Sequence, residues 1–324
     1  MIDVFETHSA ARIALLREAI ERNPDTASLV FQLARELAYA GDFDEYEKLV
    51  RRCKDFRTPV LAYLGWSPTG DRDVVGRRMI RCARICRDNG GDRSMALAAL
   101  AIGEALLGHT DAVSDLVDYA EFLRCTTLTP PQGMTLAQFN AALADEVGRE
   151  AAFMGRESKP GSGSFNYTLR KSQSPVIAAL EGAIGSAVER YIAGIQCEPD
   201  HPFMAAAPER FELKCWAYIC NGEDHLDSHM HEGAWASGVY YVRQPDASRL
   251  AETKNGWLRV GPPAKYGVHP NDGWPARLFE PREGTMVLMP GYFFHDTLPV
   301  RAEQERISIA FNVIAAAGPR GASD

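Results

Sequence analysis

Hydrophobic positions recur every three or four residues through the first half of the chain and every second residue through its last third. From Ala10 to about Val147 the pattern predicts helices: Ile13, Leu16 and Ile20 share a face, and Leu29, Leu33, Leu37 and Ala40 follow at helical spacing. Asn23-Pro24-Asp25 opens one helix, Gly41-Asp42 closes it, and Glu45 to Cys53 supplies a return partner. A similar stretch, Leu100 to Ala112, ends at Gly108, close to two 34-residue tetratricopeptide periods after Gly41. The middle unit, Leu61 to Asn89, is interrupted by Trp66-Ser67-Pro68-Thr69-Gly70. The reading is a degenerate tetratricopeptide-like helical domain over residues 1–150, with a plain helical bundle as the alternative.

The second part, residues 151–324, starts with a linker whose most flexible piece is Lys159-Pro160-Gly161-Ser162-Gly163-Ser164. Ser174 to about Ile195 reads as one amphipathic helix, opened by Ser174-Pro175. Its stripe of Ile177, Leu180, Ile184, Val188, Tyr191 and Ile192 is suited to pack on a sheet. Strands are expected at Phe211–Cys220, Ser237–Arg243, Trp257–Val260, Thr285–Met289 and Arg306–Ile314, separated by clusters of Gly, Pro, Asn and Asp. Short punctuated antiparallel strands imply a sandwich or jelly roll, so the whole chain reads as α+β.

Composition narrows the function classes. With 46% hydrophobic and 24% charged residues the chain is an ordinary globular protein. A formal charge of -8 argues against nucleic acid or an anionic membrane as partner, because both demand dense Lys and Arg, yet it leaves a small anionic ligand open. The start of the chain lacks the basic and apolar regions of a signal peptide, and no run of about 18 apolar residues is present, which makes the cytoplasm the expected location. The cysteines (Cys53, Cys82, Cys86, Cys125, Cys197, Cys215, Cys220) are scattered without CxxC pairs, as suits reduced thiols.

The chemistry lies in the second part. His229 and His231 are two residues apart and point the same way on an extended segment, and His295 can return to them when a sheet folds over. They follow the polar turn Asn221-Gly222-Glu223-Asp224, where a barrel opens and a metal keeps free positions. Imidazole suits Fe(II), Zn, Cu and Ni alike. Arg306 narrows the choice: on a strand, Arg306, Ser308, Ala310 and Asn312 share one face, and a guanidinium beside a hydroxyl is shaped to hold a carboxylate. An arginine buried near a metal needs an anion, for which a small dicarboxylate cosubstrate is the obvious candidate.

The order of motifs is more specific than any one of them. His229-x-His231, Ser237-Gly238-Val239-Tyr240-Tyr241-Val242, Pro281 to Pro290, His295 and Arg306-Ile307-Ser308-Ile309-Ala310-Phe311-Asn312 together resemble the 2-oxoglutarate and Fe(II)-dependent oxygenase family over roughly residues 160–315. Helical repeats often precede the oxygenase domain in that family. The resemblance implies a double-stranded β-helix of the jelly-roll or cupin-like type and Fe(II) held by histidines. It also implies 2-oxoglutarate with its far carboxylate on Arg306, and O2 as oxidant. The expected outcome is hydroxylation of a peptide, protein or small metabolite with release of succinate and carbon dioxide, and no catalytic residue beyond the metal centre. A protein partner could be engaged through the helical domain.

One departure stands out. The wider superfamily places a carboxylate where this chain has His231, so the metal is held either by His229, His231 and His295 or by a set in which Asp227 or Glu232 supplies a carboxylate. His225 reads as a turn residue. Ser308 and Asn312 join Arg306 as candidate cosubstrate contacts, and Trp216, Tyr218, Trp235 and Tyr240 are candidate pocket residues. Each has a plainer reading: Arg306 paired with Glu303 or Glu305 at the surface, the aromatics as core, Ser308 and Asn312 as satisfied inward polar groups. The other functional classes are a cupin-like metal protein that uses no 2-oxoglutarate and an inactive repeat scaffold.

Overall fold

A computed structural model describes residues 4–24, 26–40, 42–52, 71–88, 92–154, 157–158, 163–166, 169, 174–195, 201–245 and 252–316. Most of the expected linker, residues 61–70 and 89 of the interrupted middle helical unit, and Cys53 and Cys197 lie outside them. The chain divides into two compact units, Met1–Leu116 with Pro263–Trp274, and Val117–Pro262 with Pro275–Asp324. The helical sequence pattern runs on towards residue 150, while the first unit ends at Leu116.

In the first unit the helices α1 (Val4–Arg22), α2 (Ala27–Ala40), α3 (Phe43–Arg52), α4 (Arg72–Asp88), α5 (Arg93–Leu106) and α6 (Thr110–Leu116) pack in chain order. The periodic faces go inside: Ile13 and Leu16 of α1 are buried, as are Leu33 and Leu37 of α2. Asp92 caps α5 by accepting from the Met95 amide at 3.2 Å, satisfying one amide that the first turn leaves open. Helices α4 and α5 cross at Gly76 and Gly103. A Cβ on Gly76 would stand 2.9 Å from the Gly103 carbonyl, so only glycine permits that approach. Arg72 ties in the late segment, donating to the Gly267 carbonyl at 2.6 Å and pairing with Asp272 at 2.9 Å.

The second unit is built from α7 (Tyr119–Phe122), α8 (Leu136–Met154), α9 (Pro175–Gly194) and two antiparallel sheets. The larger sheet has the order β1 (Arg124–Thr127), β9 (Thr285–Pro290), β6 (Ala236–Arg243), β11 (Arg306–Ala315), β4 (Phe211–Cys220), β3 (Ser164–Asn166), β2 (Glu157–Ser158). The smaller runs β5 (Leu226–His229), β10 (His295–Thr297), β7 (Leu258–Val260), β8 (Arg277–Phe279). Facing antiparallel sheets of this kind make a double-stranded β-helix, and the chain is α+β. All five expected strands are present to within a residue at either end. Helix α8 begins at a reciprocal Thr135–Gln138 capping box, and α9 begins at Ser174-Pro175. In α9 the stripe residues Ile177, Leu180, Ile184, Val188 and Tyr191 are buried, and the helix packs on α8 and β4.

Candidate metal centre and cosubstrate pocket

Strand register brings two of the histidines together. His229 closes β5 and lies directly across from His295 at the start of β10, and directly opposed residues in a sheet have neighbouring side chains. His231 lies just beyond the strand, where its amide donates to the Gly291 carbonyl at 2.9 Å. The His229 and His295 rings have centroids 4.4 Å apart, and the Nε2 atoms of His231 and His295 stand 3.2 Å apart. One nitrogen from each of the three residues falls within 4.8 Å of the others.

The backbone fixes which nitrogens are free. His229 Nδ1 lies 2.7 Å from the Asp227 carbonyl and His295 Nδ1 lies 3.0 Å from the Phe293 carbonyl. A carbonyl only accepts, so both Nδ1 atoms carry the proton and both Nε2 lone pairs face the centre. Burial, reinforced by the charge His229 would carry, pushes the His231 imidazolium down to about 3, against a raising hydrogen bond with Asn312. His295 is lowered well below its ordinary value by burial first, then by His229 and His231. Neutral imidazoles whose lone pairs converge are what a divalent transition metal needs. Among the described residues no carboxylate joins this group. The Asp227 side chain is 98% exposed and 3.7 Å from His225, and Glu232 is exposed.

A cavity of about 510 Å³ lies between the sheets beside the triad. Arg306, Ser308, Ala310 and Asn312 all line it, as strand alternation requires. Arg306 is buried and, among the described residues, has no carboxylate partner, so the surface pairing with Glu303 or Glu305 does not occur. Its Nη1 donates to the Gly256 carbonyl at 2.6 Å, its guanidinium lies 5.2 Å from the centre of the Tyr241 ring, and its Nε is buried with no hydrogen bond. The Tyr241 hydroxyl is likewise buried and unbonded. Burial pushes that hydroxyl up to about 12 and raises Tyr218, beside Cys220, further still. Both stay protonated and can donate. A buried cation with an open N–H, next to protonated hydroxyls, is a receptor for a carboxylate.

Of the candidate aromatics, Trp216 and Tyr218 line the cavity. Trp235 and Tyr240 do not. Trp235 donates to the Phe203 carbonyl at 3.1 Å and stacks on Phe203 with ring centres 4.7 Å apart. The Tyr240 hydroxyl donates to Asn140 Oδ1 of α8 at 2.6 Å. The reason is parity: Tyr241 lies opposite Ser308 across β6 and β11, so its neighbour Tyr240 must point to the other face. Sequence reasoning also passed over Lys214, Phe165 and Thr297, which line the cavity. Lys214 was legible in principle, since it shares strand parity with Trp216 and Tyr218.

Residues 214–312 match the family described as Putative 2OG-Fe(II) oxygenase. No curated protein matches the chain. Among solved structures the chain is similar to a prolyl-4-hydroxylase from Pseudomonas putida, at 18% identity over 64% of this chain and 100% of that one, with a TM-score of 0.44. It is also similar to a non-heme alpha ketoglutarate dependent epimerase from nogalamycin biosynthesis (13% identity, 63% and 84%, TM-score 0.43). A third is a Trichoplax adhaerens prolyl hydroxylase in complex with a hypoxia inducible factor peptide fragment (12% identity, 65% and 90%, TM-score 0.42). The stretch 214–312 that matches this family carries His229, His231, His295 and Arg306, and all four line one cavity.

Proposed function

We propose that His229, His231 and His295 hold Fe(II) and that Arg306, with Tyr241, Tyr218 and Ser308 around it, holds the far carboxylate of 2-oxoglutarate. The substrate is an organic molecule hydroxylated at a C–H bond. The bound metal supplies the redox chemistry: one atom of O2 enters the substrate as hydroxyl and the other enters succinate as 2-oxoglutarate loses carbon dioxide. The chain's own groups orient, neutralise and exclude water. The Nδ1–H donors to Asp227 and Phe293 keep two imidazoles in the ligating tautomer. Arg306 fixes the cosubstrate's distal end, and the apolar walls from Phe165, Leu226, Val239, Leu258 and Met289 keep bulk water from the reacting centre.

The observation that carries this reading is the pair of unsatisfied buried donors, Arg306 Nε and Tyr241 Oη, in the cavity that also holds the triad. Burial of a guanidinium without an anion is costly, and a dicarboxylate spanning from the metal to Arg306 removes that cost. A cavity of about 510 Å³, shared with the cosubstrate, favours a small molecule or a single inserted side chain as substrate. Anaerobic titration with Fe(II), then with 2-oxoglutarate, tests it. A weak visible metal-to-ligand charge-transfer band is expected in the wild type and not in His295→Ala. Iron binding with no band at saturating 2-oxoglutarate would overturn the reading in favour of a metal protein of another kind.

A further inference from the structure

The wall made by β4 and β11 carries a cation at each end. Arg306 lies opposite Cys220 at one end and Lys214 lies opposite Asn312 at the other, about 20 Å of strand apart. Both line the cavity. The triad is nearer the Lys214 end: the Trp216 ring, two residues along from Lys214, is 5.7 Å from the His231 ring, and Asn312, opposite Lys214, lines the same cavity. A cosubstrate reaching from the histidines to Arg306 therefore leaves the Lys214 end unfilled. Lys214 is only partly exposed, and among the described residues it has no ion-pair partner. Among the described residues, the one carboxylate lining the cavity, Asp227, is turned out to solvent.

Charge points the same way. Three neutral imidazoles leave a divalent ion its full double charge, where a carboxylate ligand would have removed part of it. With Arg306 added, the dianionic cosubstrate leaves one positive charge uncancelled, and Lys214 adds another. A half-buried region with an unbalanced positive charge attracts an anion and disfavours a cation. Resting on the metal and cosubstrate reading above, we propose that the Lys214 end of the cavity binds an anionic substrate, with its carboxylate or phosphate group on the Lys214 ammonium and its organic body along Trp216 beside the histidines.

The test is calorimetric titration of the anaerobic Fe(II)- and 2-oxoglutarate-loaded protein with phenylacetate, phenyl phosphate and the neutral phenylacetamide. At least one anion is expected to bind tenfold or more tightly than the amide, and which of the two does so tells carboxylate from phosphate. Lys214→Met should weaken the preferred anion by about 10- to 100-fold, the effect of removing a charge-assisted hydrogen bond. Lys214→Arg should retain the preference, and 2-oxoglutarate affinity, which belongs to Arg306, should move less than twofold in both variants. Equal binding of anion and amide, undiminished anion binding by Lys214→Met, or no anion binding at millimolar concentration would overturn the proposal. Loss of the charge-transfer band in the wild type would instead sink the cosubstrate reading and the proposal with it.

Discussion

Tyr241 and Arg306 share one physical predicament: each is buried with a polar atom that the rest of the protein leaves unbonded. A partnerless buried hydroxyl costs about 1–3 kcal/mol, so Tyr241→Phe should raise the melting temperature of the ligand-free protein. The same change removes a donor from the carboxylate receptor and should weaken 2-oxoglutarate by about tenfold. A lower melting temperature together with unchanged 2-oxoglutarate affinity would show that the hydroxyl has another partner. Arg306→Lys keeps the charge and loses the planar fork. We expect it to raise the 2-oxoglutarate concentration needed for the charge-transfer band by about tenfold or more while the Fe(II) affinity read by equilibrium dialysis stays near wild type. Iron loss in that variant would place Arg306 in the metal site itself. The residues at this scale were largely readable: His229, His231, His295 and the alternating face of Arg306, Ser308 and Asn312 all arrive where their spacing put them. Tyr240 did not, because alternation says which residues share a face and leaves open which face meets the cavity; Trp235 did not, because it precedes β6 and its indole donates to the Phe203 carbonyl instead.

At the scale of elements, long periodic segments were legible and short ones were not. β4 spans Phe211–Cys220 as its ten-residue alternation predicts, whereas β5 and β10, four and three residues long, carry too few positions for a period to show. Those two short strands nonetheless deliver His229 and His295 to one another. β6 depends on Gly238, where an added Cβ would collide with the Phe311 ring and the Val287 carbonyl of its neighbouring strands. Gly238→Ala therefore overpacks the sheet beside the site and should destabilise by about 1–3 kcal/mol, visible as a lower midpoint in urea. A midpoint within error of wild type would mean that β6 yields without strain. Trp235 is better understood here than as a pocket residue: it is part of the aromatic packing with Phe203 and Tyr191 that closes this end of the unit.

For the whole molecule, the buried imidazoles couple folding to pH and to metal. His231 and His295 have folded-state values below the ordinary 6.5, so between 6.5 and the lowered values the unfolded chain binds more protons than the folded one. Their contribution to stability is complete above pH 6.5 and is lost as pH falls below it, for His231 down to about 3, at up to about 1.4 kcal/mol per pH unit for each histidine. Urea midpoints of the metal-free protein should fall across that window, and a bound divalent metal should raise the midpoint at every pH where the imidazoles remain neutral. A flat profile from pH 7 to 5 would contradict the buried neutral state. Among the described residues, no helix is long and apolar enough to cross a membrane.

By itself the sequence determined the two regimes of periodicity, the strands that carry them, the three histidines and the arginine, because all of these are written in local spacing that the backbone converts directly into faces. The tertiary structure decided which face of each strand meets the cavity and that β5 and β10 exist as partners. It also decided that, among the described residues, no carboxylate reaches the triad, and that Lys214 and Tyr241 look inward. Those outcomes depend on register between strands far apart in the chain, which no local pattern encodes.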